Sequence, residues 1–170
     1  MKYQIVYESQ SGNTAKVARA MANALPAEET QLTDLKVQTP SRYGEIYCVG
    51  FGVRNSTCSM KLLEFLELLH GKTMLLFATC GLNPSEGYHD MLECSIVPFL
   101  PDDCDYRGFY LCQGSISDEG CAAIKHRLAQ AGNEEALQRF DTFRAATFDH
   151  PSENDLEEAV EFMEQALDLW

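Results

Sequence analysis

The run Ser9-Gln10-Ser11-Gly12-Asn13-Thr14 joins two stretches that have different periodicities. Before it, Tyr3–Glu8 has β character, and after it residues 15–25 have the apolar spacing of a helix. The run is therefore predicted to be a tight polar loop between a strand and a helix. Gly12 lets the backbone turn where a Cβ would clash. The free N–H groups of a helix N-terminus, together with the hydroxyl groups of the loop, suit a phosphate.

The loop lacks the sequence features of two common nucleotide sites. It contains no Lys or Arg, whereas a triphosphate-binding loop needs Gly-Lys-Ser/Thr. It also lacks the three glycines of the dinucleotide-binding fingerprint. A phosphate at this loop is therefore expected to be held mainly by N–H groups and hydroxyls, without an opposite charge. The simpler alternative is an ordinary strand-to-helix turn with a polar N-cap residue.

Strands and helices alternate along the rest of the chain. The apolar runs at residues 45–51 and 73–79 are typical of strands that are buried on both faces of a parallel sheet. Weaker patterns predict an edge strand at residues 30–35 and a last strand at residues 106–113. Helices are predicted at residues 13–25, 60–69, 86–100, 118–131, 134–146 and after Ser152. This alternation predicts an α/β fold in which helices cover both faces of a parallel sheet.

Two local sequence signals refine the predicted ends of the helices. Pro98 is expected to end or kink the third helix. Ser152 and Asp155 form a capping signal for the last helix. Its apolar residues recur at helical spacing and are predicted to face the core; they are Leu156, Val160, Met163, Leu167 and Trp170.

The composition limits the class of protein. The 170 residues, of which 45% are hydrophobic, suit one globular domain that spans residues 1–170. The formal net charge of −13 argues against nucleic acid and favours a basic patch on a protein partner. No apolar run approaches the ~20 residues of a membrane span, so no membrane insertion is expected. The seven cysteines include no Cys-x-x-Cys pair, which fits a reduced cytoplasmic protein without a metal site.

The polar loop resembles the phosphate loop of flavodoxins, Ser/Thr-x-Thr-Gly-Asn-Thr, with Ser11 in place of the central Thr. Residues 109–114 also resemble the family's last strand, and residues 150–156 the start of its final helix. The resemblance implies a flavodoxin-like three-layer sandwich with a five-stranded parallel sheet of order 2-1-3-4-5. It also implies flavin mononucleotide (FMN) as cofactor, with its phosphate at Ser9, Gln10, Ser11, Gly12, Asn13 and Thr14. Among flavodoxin relatives, the sequence is similar to the small partners of bacterial bilirubin reductase.

The loops after strands three and four are the expected contacts of the flavin ring, since ligands of this fold bind beyond the carboxyl ends of the strands. Phe51 is the candidate stacking residue of the first of these loops, and Tyr88 is the nearest aromatic residue to the second. Arg54 beside the ring would raise the reduction potential by stabilising the anionic reduced flavin. The full set of candidates is Phe51, Gly52, Val53, Arg54, Thr79, Cys80, Gly81, Leu82 and Tyr88.

Three of these candidates have structural alternatives. Arg54 is equally well explained as a solvated loop charge. Tyr88 is slightly better explained as a helix residue that packs on the surface. Cys80 is more simply an inert buried thiol than a redox group, because no second cysteine or histidine base is adjacent.

The resemblance predicts an FMN-binding electron-transfer protein that supplies electrons to a redox protein partner, either a reductase or an oxidoreductase. Two alternatives stay open: an NAD(P)H-dependent FMN or quinone reductase of the same fold, and a flavin-free accessory subunit. The sequence departs from short flavodoxins at two places. The helix between strands two and three is short or missing, and residues 117–148 carry additional helix that would serve as a partner-docking surface.

Overall fold

The computed structural model describes residues 1–81 and 84–169 and contains a five-stranded sheet, all of whose neighbouring strands run parallel. The strand order is β2-β1-β3-β4-β5, so the order 2-1-3-4-5 and the edge position of the second strand are confirmed. The strands are β1 (Tyr3–Glu8), β2 (Thr30–Asp34), β3 (Ile46–Gly52), β4 (Thr73–Cys80) and β5 (Asp105–Gln113).

Helices cover both faces of the sheet and form two separate apolar cores. One core joins buried side chains of the first and last helices to one face of β1, β3 and β4. The other joins the second and third helices to the opposite face. The helices are α1 (Asn13–Asn23), α2 (Met60–Leu66), α3 (Glu86–Ile96), α4 (Asp118–Gln130), α5 (Glu134–Thr147) and α6 (Glu153–Ala166).

Several helix ends differ from the predicted ones by two to four residues. The α1 helix ends at Asn23, two residues before the predicted end, and α2 ends at Leu66, three residues early. The α3 helix ends at Ile96 and a 3-10 turn, Val97–Phe99, follows it. Pro98 is the cause, as predicted, because proline has no N–H with which to continue the helix.

The apolar stripe predicted for α6 is only partly in the core. Met163 is fully buried, and Leu156 and Leu167 pack at the margin of the core. Val160 instead lines a shallow surface groove beside Ala20. Ala159 is also fully buried on this helix. The sequence analysis missed it because only large apolar side chains were assigned to the core-facing stripe. Trp170, the last member of the predicted stripe, lies outside the described residues.

The register of the sheet brings the carboxyl ends of four strands to one edge. Glu8 of β1 pairs with Phe51 of β3, and Gly52 of β3 pairs with Thr79 of β4. Cys80 of β4 in turn pairs with Gln113 of β5. The loops that follow these strands therefore surround one space. Within the described chain, no helix is both long enough and apolar enough to cross a membrane.

Candidate functional site

A crevice of about 1030 Å³ opens at the carboxyl edge of the sheet. This volume is slightly above the roughly 300–1,000 Å³ that is usual for small-molecule sites. Residues from all three predicted loops line it: Gln10, Ser11, Asn13, Thr14, Gly52, Val53, Arg54, Thr79, Cys80 and Gly81. Of the other candidates, Ser9 and Gly12 shape the first loop without lining the crevice, and Leu82 lies outside the described residues.

The first loop is built around a left-handed turn at Gly12, whose φ is 88°. No heavy atom lies within 4 Å of the position that a Cβ would occupy there. The glycine is thus needed for its positive φ, and not because a Cβ would clash, as the sequence suggested. The Gly12 N–H donates to Ser9 Oγ at 3.1 Å and closes the loop.

The N-terminus of α1 differs from the other helix starts in the described chain. No side chain caps α1, whereas a Ser or Asn side chain accepts an N–H at the start of each of the other five α-helices. The first N–H groups of a helix have no partner inside the helix. At α1 these N–H donors are available to a ligand in the crevice, since Asn13 and Thr14 line it. An anion is the ligand that such donors and the helix dipole favour.

Two side-chain contacts tie the start of α1 to neighbouring strands. Thr14 Oγ1 lies 2.9 Å from Thr79 Oγ1, which joins α1 to the end of β4. Asn13 Nδ2 donates to the Ser115 carbonyl at 2.7 Å, and Ser115 Oγ donates back to Asn13 Oδ1 at 3.2 Å. Gly114 permits this clamp, because a Cβ on it would lie 2.7 Å from Asn13 Nδ2. The loop is thus held in place from two sides.

The loop after β3 is a tight two-residue hairpin. Arg54 and Thr57 exchange backbone hydrogen bonds of 2.9 and 3.0 Å. Asn55 and Ser56 at its tip have φ values of 49° and 60°, which is the left-handed pattern of a type I′ turn. The Val53 N–H donates to the Thr79 carbonyl at 2.9 Å, so the base of the hairpin is anchored on β4. The Arg54 side chain is exposed and lines the crevice.

Neither predicted stacking residue lines the crevice. Phe51 is only 1% exposed and stacks on Phe109 in the core, with ring centroids 6.1 Å apart. The alternation of β3 explains this, since Phe51 shares its face with the buried Tyr47 and Val49. Tyr88 is half-buried, packs against the same core and contacts the Ser56 side chain; burial raises its pKa. The described lining contains no aromatic ring, and its larger aliphatic groups are those of Val53 and Ile116.

The fold brings further residues to the crevice that the sequence analysis did not identify. They come from the end of β1, the turn after β2, the β3–α2 connection, the β5–α4 connection and the first turn of α4: Glu8, Lys36, Asn55, Thr57, Cys58, Ser59, Ser115, Ile116, Ser117 and Glu119. The signal for Lys36 was its position two residues after β2, which the predicted strand order places beside β1. Lys36 Nζ donates to the Ser9 carbonyl at 3.1 Å, so a cation does lie at the first loop.

The thiols at the crevice are in an inert environment. Cys80 is 3% exposed and its thiol lies 3.7 Å from the Cys112 carbonyl. Burial raises the pKa of Cys58 to about 11, so that this thiol is protonated at neutral pH. None of the seven cysteines forms a disulfide. The described lining also contains no histidine. The groups that it offers to a ligand include N–H groups, hydroxyls and the cationic side chains of Lys36 and Arg54.

Comparison with known proteins agrees with this geometry. The profile of the flavodoxin domain family matches residues 4–164. The chain is 25% identical to the flavodoxin-like domain-containing protein BilS of Clostridioides difficile (strain CD3), over 98% of this chain and 97% of that protein. It is also 25% identical to BilS of Clostridium symbiosum (strain WAL-14163), over 92% of this chain and 90% of the relative.

A solved structure shares the fold. The two-electron reduced flavodoxin of Megasphaera elsdenii superimposes with a TM-score of 0.50 and 18% identity, over 69% of this chain and 89% of that one. The family profile spans most of the chain, including the first loop and the carboxyl ends of all five strands. The chain therefore belongs to the flavodoxin domain family.

Proposed function

We propose that the crevice binds FMN and that the protein carries electrons to a redox partner. Membership of the flavodoxin domain family supports an electron-transfer role of the flavin type. When bound, FMN supplies the electron-transfer chemistry, and the protein supplies binding, orientation and a local electric field. The residues of the crevice fit this cofactor, because the lining offers anion donors at the start of α1 and aliphatic groups at Val53 and Ile116.

The observation that carries the proposal is the uncapped start of α1 at the crevice. The free N–H groups there and the Ser11 and Thr14 hydroxyls are suited to the FMN phosphate. The contacts of Asn13 with Ser115 and of Thr14 with Thr79 hold these donors in place before a ligand arrives. Such preorganisation reduces the entropy that is lost on binding.

The isoalloxazine ring is assigned to the space between the β3–α2 hairpin and the β5–α4 connection. Val53 and Ile116 offer aliphatic surface there, and the backbone after Thr79 offers polar groups for the pyrimidine edge. With Phe51 in the core, the ring is held without aromatic stacking from that residue. Arg54 on the hairpin would favour the anionic reduced form and so raise the reduction potential.

The partner is proposed to be a redox protein with a basic docking surface. The net charge of −13 favours association with a positively charged patch and makes the association rate sensitive to salt. The additional helix α4 adjoins the crevice through its N-cap Ser117 and through Glu119, where a partner would approach the flavin. The α5 helix is joined to α4 by the ion pair between Arg144 and Asp118. Seven cysteines without a disulfide fit a reducing compartment, and we propose the cytoplasm.

The visible spectrum tests the cofactor. Purified protein is mixed with FMN, passed through a gel-filtration column and scanned. A retained flavin spectrum is the expected result, and a colourless protein would refute the proposal. Rapid reduction of the bound flavin by NAD(P)H without any partner would favour a reductase over a carrier.

The Thr14→Ala variant tests the assigned phosphate site. Loss of the hydroxyl removes one hydrogen-bonding group from the anion site and leaves Thr79 without its partner. We expect FMN binding to weaken by about 1–3 kcal/mol, the usual cost of leaving a buried polar group without its hydrogen-bond partner. Fluorescence titration measures the dissociation constant. Unchanged FMN affinity would show that the phosphate lies elsewhere.

A further inference from the structure

Lys36 occupies a defined position beside the phosphate loop. The Leu35 N–H donates to the Tyr7 carbonyl at 2.8 Å, which continues the pairing of β2 with β1. The Lys36 N–H then donates to Asp34 Oδ1 at 2.9 Å and fixes the backbone of the turn. From this turn the side chain reaches the first loop, where Nζ contacts the Ser9 carbonyl at 3.1 Å.

This contact changes the electrostatics of the loop for an incoming anion. The Ser9 carbonyl belongs to the phosphate loop although Ser9 does not line the crevice, and an ammonium group bound to this oxygen offsets its partial negative charge. The ammonium group has further N–H donors that the Ser9 carbonyl does not use. Lys36 also lines the crevice, so these donors are close to the space that the ligand occupies.

The charge of Lys36 is not neutralised by a carboxylate. Within the described chain, neither Lys36 nor Arg54 takes part in an ion pair. The crevice is lined by Glu8 and Glu119 as well, and Glu8 accepts a hydrogen bond from Ser59 Oγ. The lining therefore has two acidic and two basic side chains, although the whole molecule has a net charge of −13. The crevice is therefore balanced in charge along its described lining, which opposes a dianion less than the acidic average of the molecule would.

We propose that Lys36 is the counter-charge of a phosphate monoester bound at the loop. The inference rests on the proposed function, in which this monoester is the FMN phosphate. It assigns a binding role to a residue that lies outside the loop motif, on the connection between β2 and β3. The loop N–H groups would orient the phosphate, and Lys36 would balance part of its charge.

The test compares two ligands that differ only in the phosphate. FMN and riboflavin are titrated into the flavin-free wild-type protein and into the Lys36→Met, Lys36→Arg and Lys16→Met variants. Lys16 is the matched control, since it lies exposed on the first turns of α1 but does not line the crevice. Urea denaturation of every variant checks that the fold is retained.

We expect Lys36→Met to lose about tenfold in FMN affinity, in the range of a charge-assisted hydrogen bond that is partly exposed to solvent. Riboflavin affinity should stay as in the wild type, and Lys36→Arg should keep most of the FMN affinity. The FMN loss should shrink at high salt, because salt screens exposed charges. Lys16→Met should have little effect.

Three results would overturn the inference. An equal loss for riboflavin would mean that Lys36 only holds the loop through Ser9. An unchanged FMN affinity in Lys36→Met would mean that its charge is not used. An equal loss in Lys16→Met would mean that any nearby positive charge has the same effect.

Failure of the proposed function gives a different result. If wild-type protein binds neither flavin, the FMN assignment fails while the phosphate assignment is still tested with inorganic phosphate. Chemical-shift changes at the Gly12 amide on phosphate addition, reduced in Lys36→Met, would support Lys36 as a phosphate ligand. Absence of these changes in the wild type would overturn that assignment as well.

Discussion

At the scale of single residues, Gly50 is a position where the sheet has no room for a side chain. It lies in the middle of β3, between Tyr7 of β1 and Phe77 of β4. A Cβ on Gly50 would lie 2.1 Å from two ring atoms of Phe77, which is fully buried. Neither the ring nor the strand can move without disturbing the core, because protein interiors are closely packed.

The Gly50→Ala variant is therefore expected to lower the free energy of unfolding by about 2 kcal/mol, a usual cost of overpacking a core. Urea denaturation followed by circular dichroism measures it. Gly52→Ala is the matched control in the same strand, since its Cβ would meet only Thr14 Oγ1 at an ordinary 3.5 Å. Similar stability in the two variants would contradict the close contact with Phe77.

The sequence predicted the position of the first loop well, because a local motif fixes the backbone there. The first loop was predicted because a strand, a glycine and a helix start follow one another, and Ser11 and Thr14 do line the crevice. The orientation of Phe51 was not predictable from the loop composition, since it depends on which face of β3 the residue occupies. Lys36 and Ile116 were missed because only the folded sheet brings their segments to the same edge.

At the scale of elements, α6 shows how a helix start supports the site. Ser152 Oγ accepts the Asp155 N–H, and Asp155 Oδ2 accepts the Ser152 N–H, which completes a capping box. The carbonyl of Asp155 also accepts the Tyr110 hydroxyl at 2.7 Å. Two residues before the cap, the His150 carbonyl accepts the Ser115 N–H at 2.8 Å. The start of α6 is thereby linked to the wall of the crevice.

Replacing Ser152 by Ala is expected to destabilise the protein by about 1 kcal/mol, the usual contribution of an N-cap side chain. The effect is read as a lower midpoint of urea unfolding. Asn154→Ala is the control, because Asn154 is an exposed residue of the same turn that contacts only Glu158 in the described chain. We expect that variant to stay within about 0.5 kcal/mol of wild type. Equal losses in both variants would argue against a specific cap.

The sequence located the bounds of some helices and strands more precisely than those of others. The bounds of β3 and β4 were predicted to within one residue. A strand that is buried on both faces has a continuous apolar run, which is easy to locate in the sequence. The end of α2 was less clear, since Leu69 continues the apolar spacing and is fully buried even though the helix ends at Leu66. A buried residue in the following turn has the same sequence signal as one in the helix, so burial alone cannot locate the last helical residue.

At the scale of the whole molecule, burial of many ionisable groups couples stability to alkaline pH. Burial raises the pKa of Cys58 to about 11 and that of Cys112 to about 12, from an ordinary value of 9.0. The pKa of the fully buried Cys48 thiol is raised for the same reason. The pKa values of Tyr106 and Tyr110 are also raised, chiefly by burial. All five groups are therefore more easily ionised in the unfolded chain than in the native protein.

These five groups should consequently leave the stability unchanged between neutral pH and about pH 9 and lower it above that, because the native state retains protons that the unfolded state has released. Each thiol that ionises only on unfolding lowers the free energy of unfolding by about 1.4 kcal/mol per pH unit. Urea unfolding at pH 8.0 and pH 10.5, under reducing conditions, measures the slope. Cys58→Ala should make the slope shallower, whereas Cys94→Ala should leave it unchanged because Cys94 is exposed. Equal stability at both pH values would show that the buried thiols ionise without unfolding.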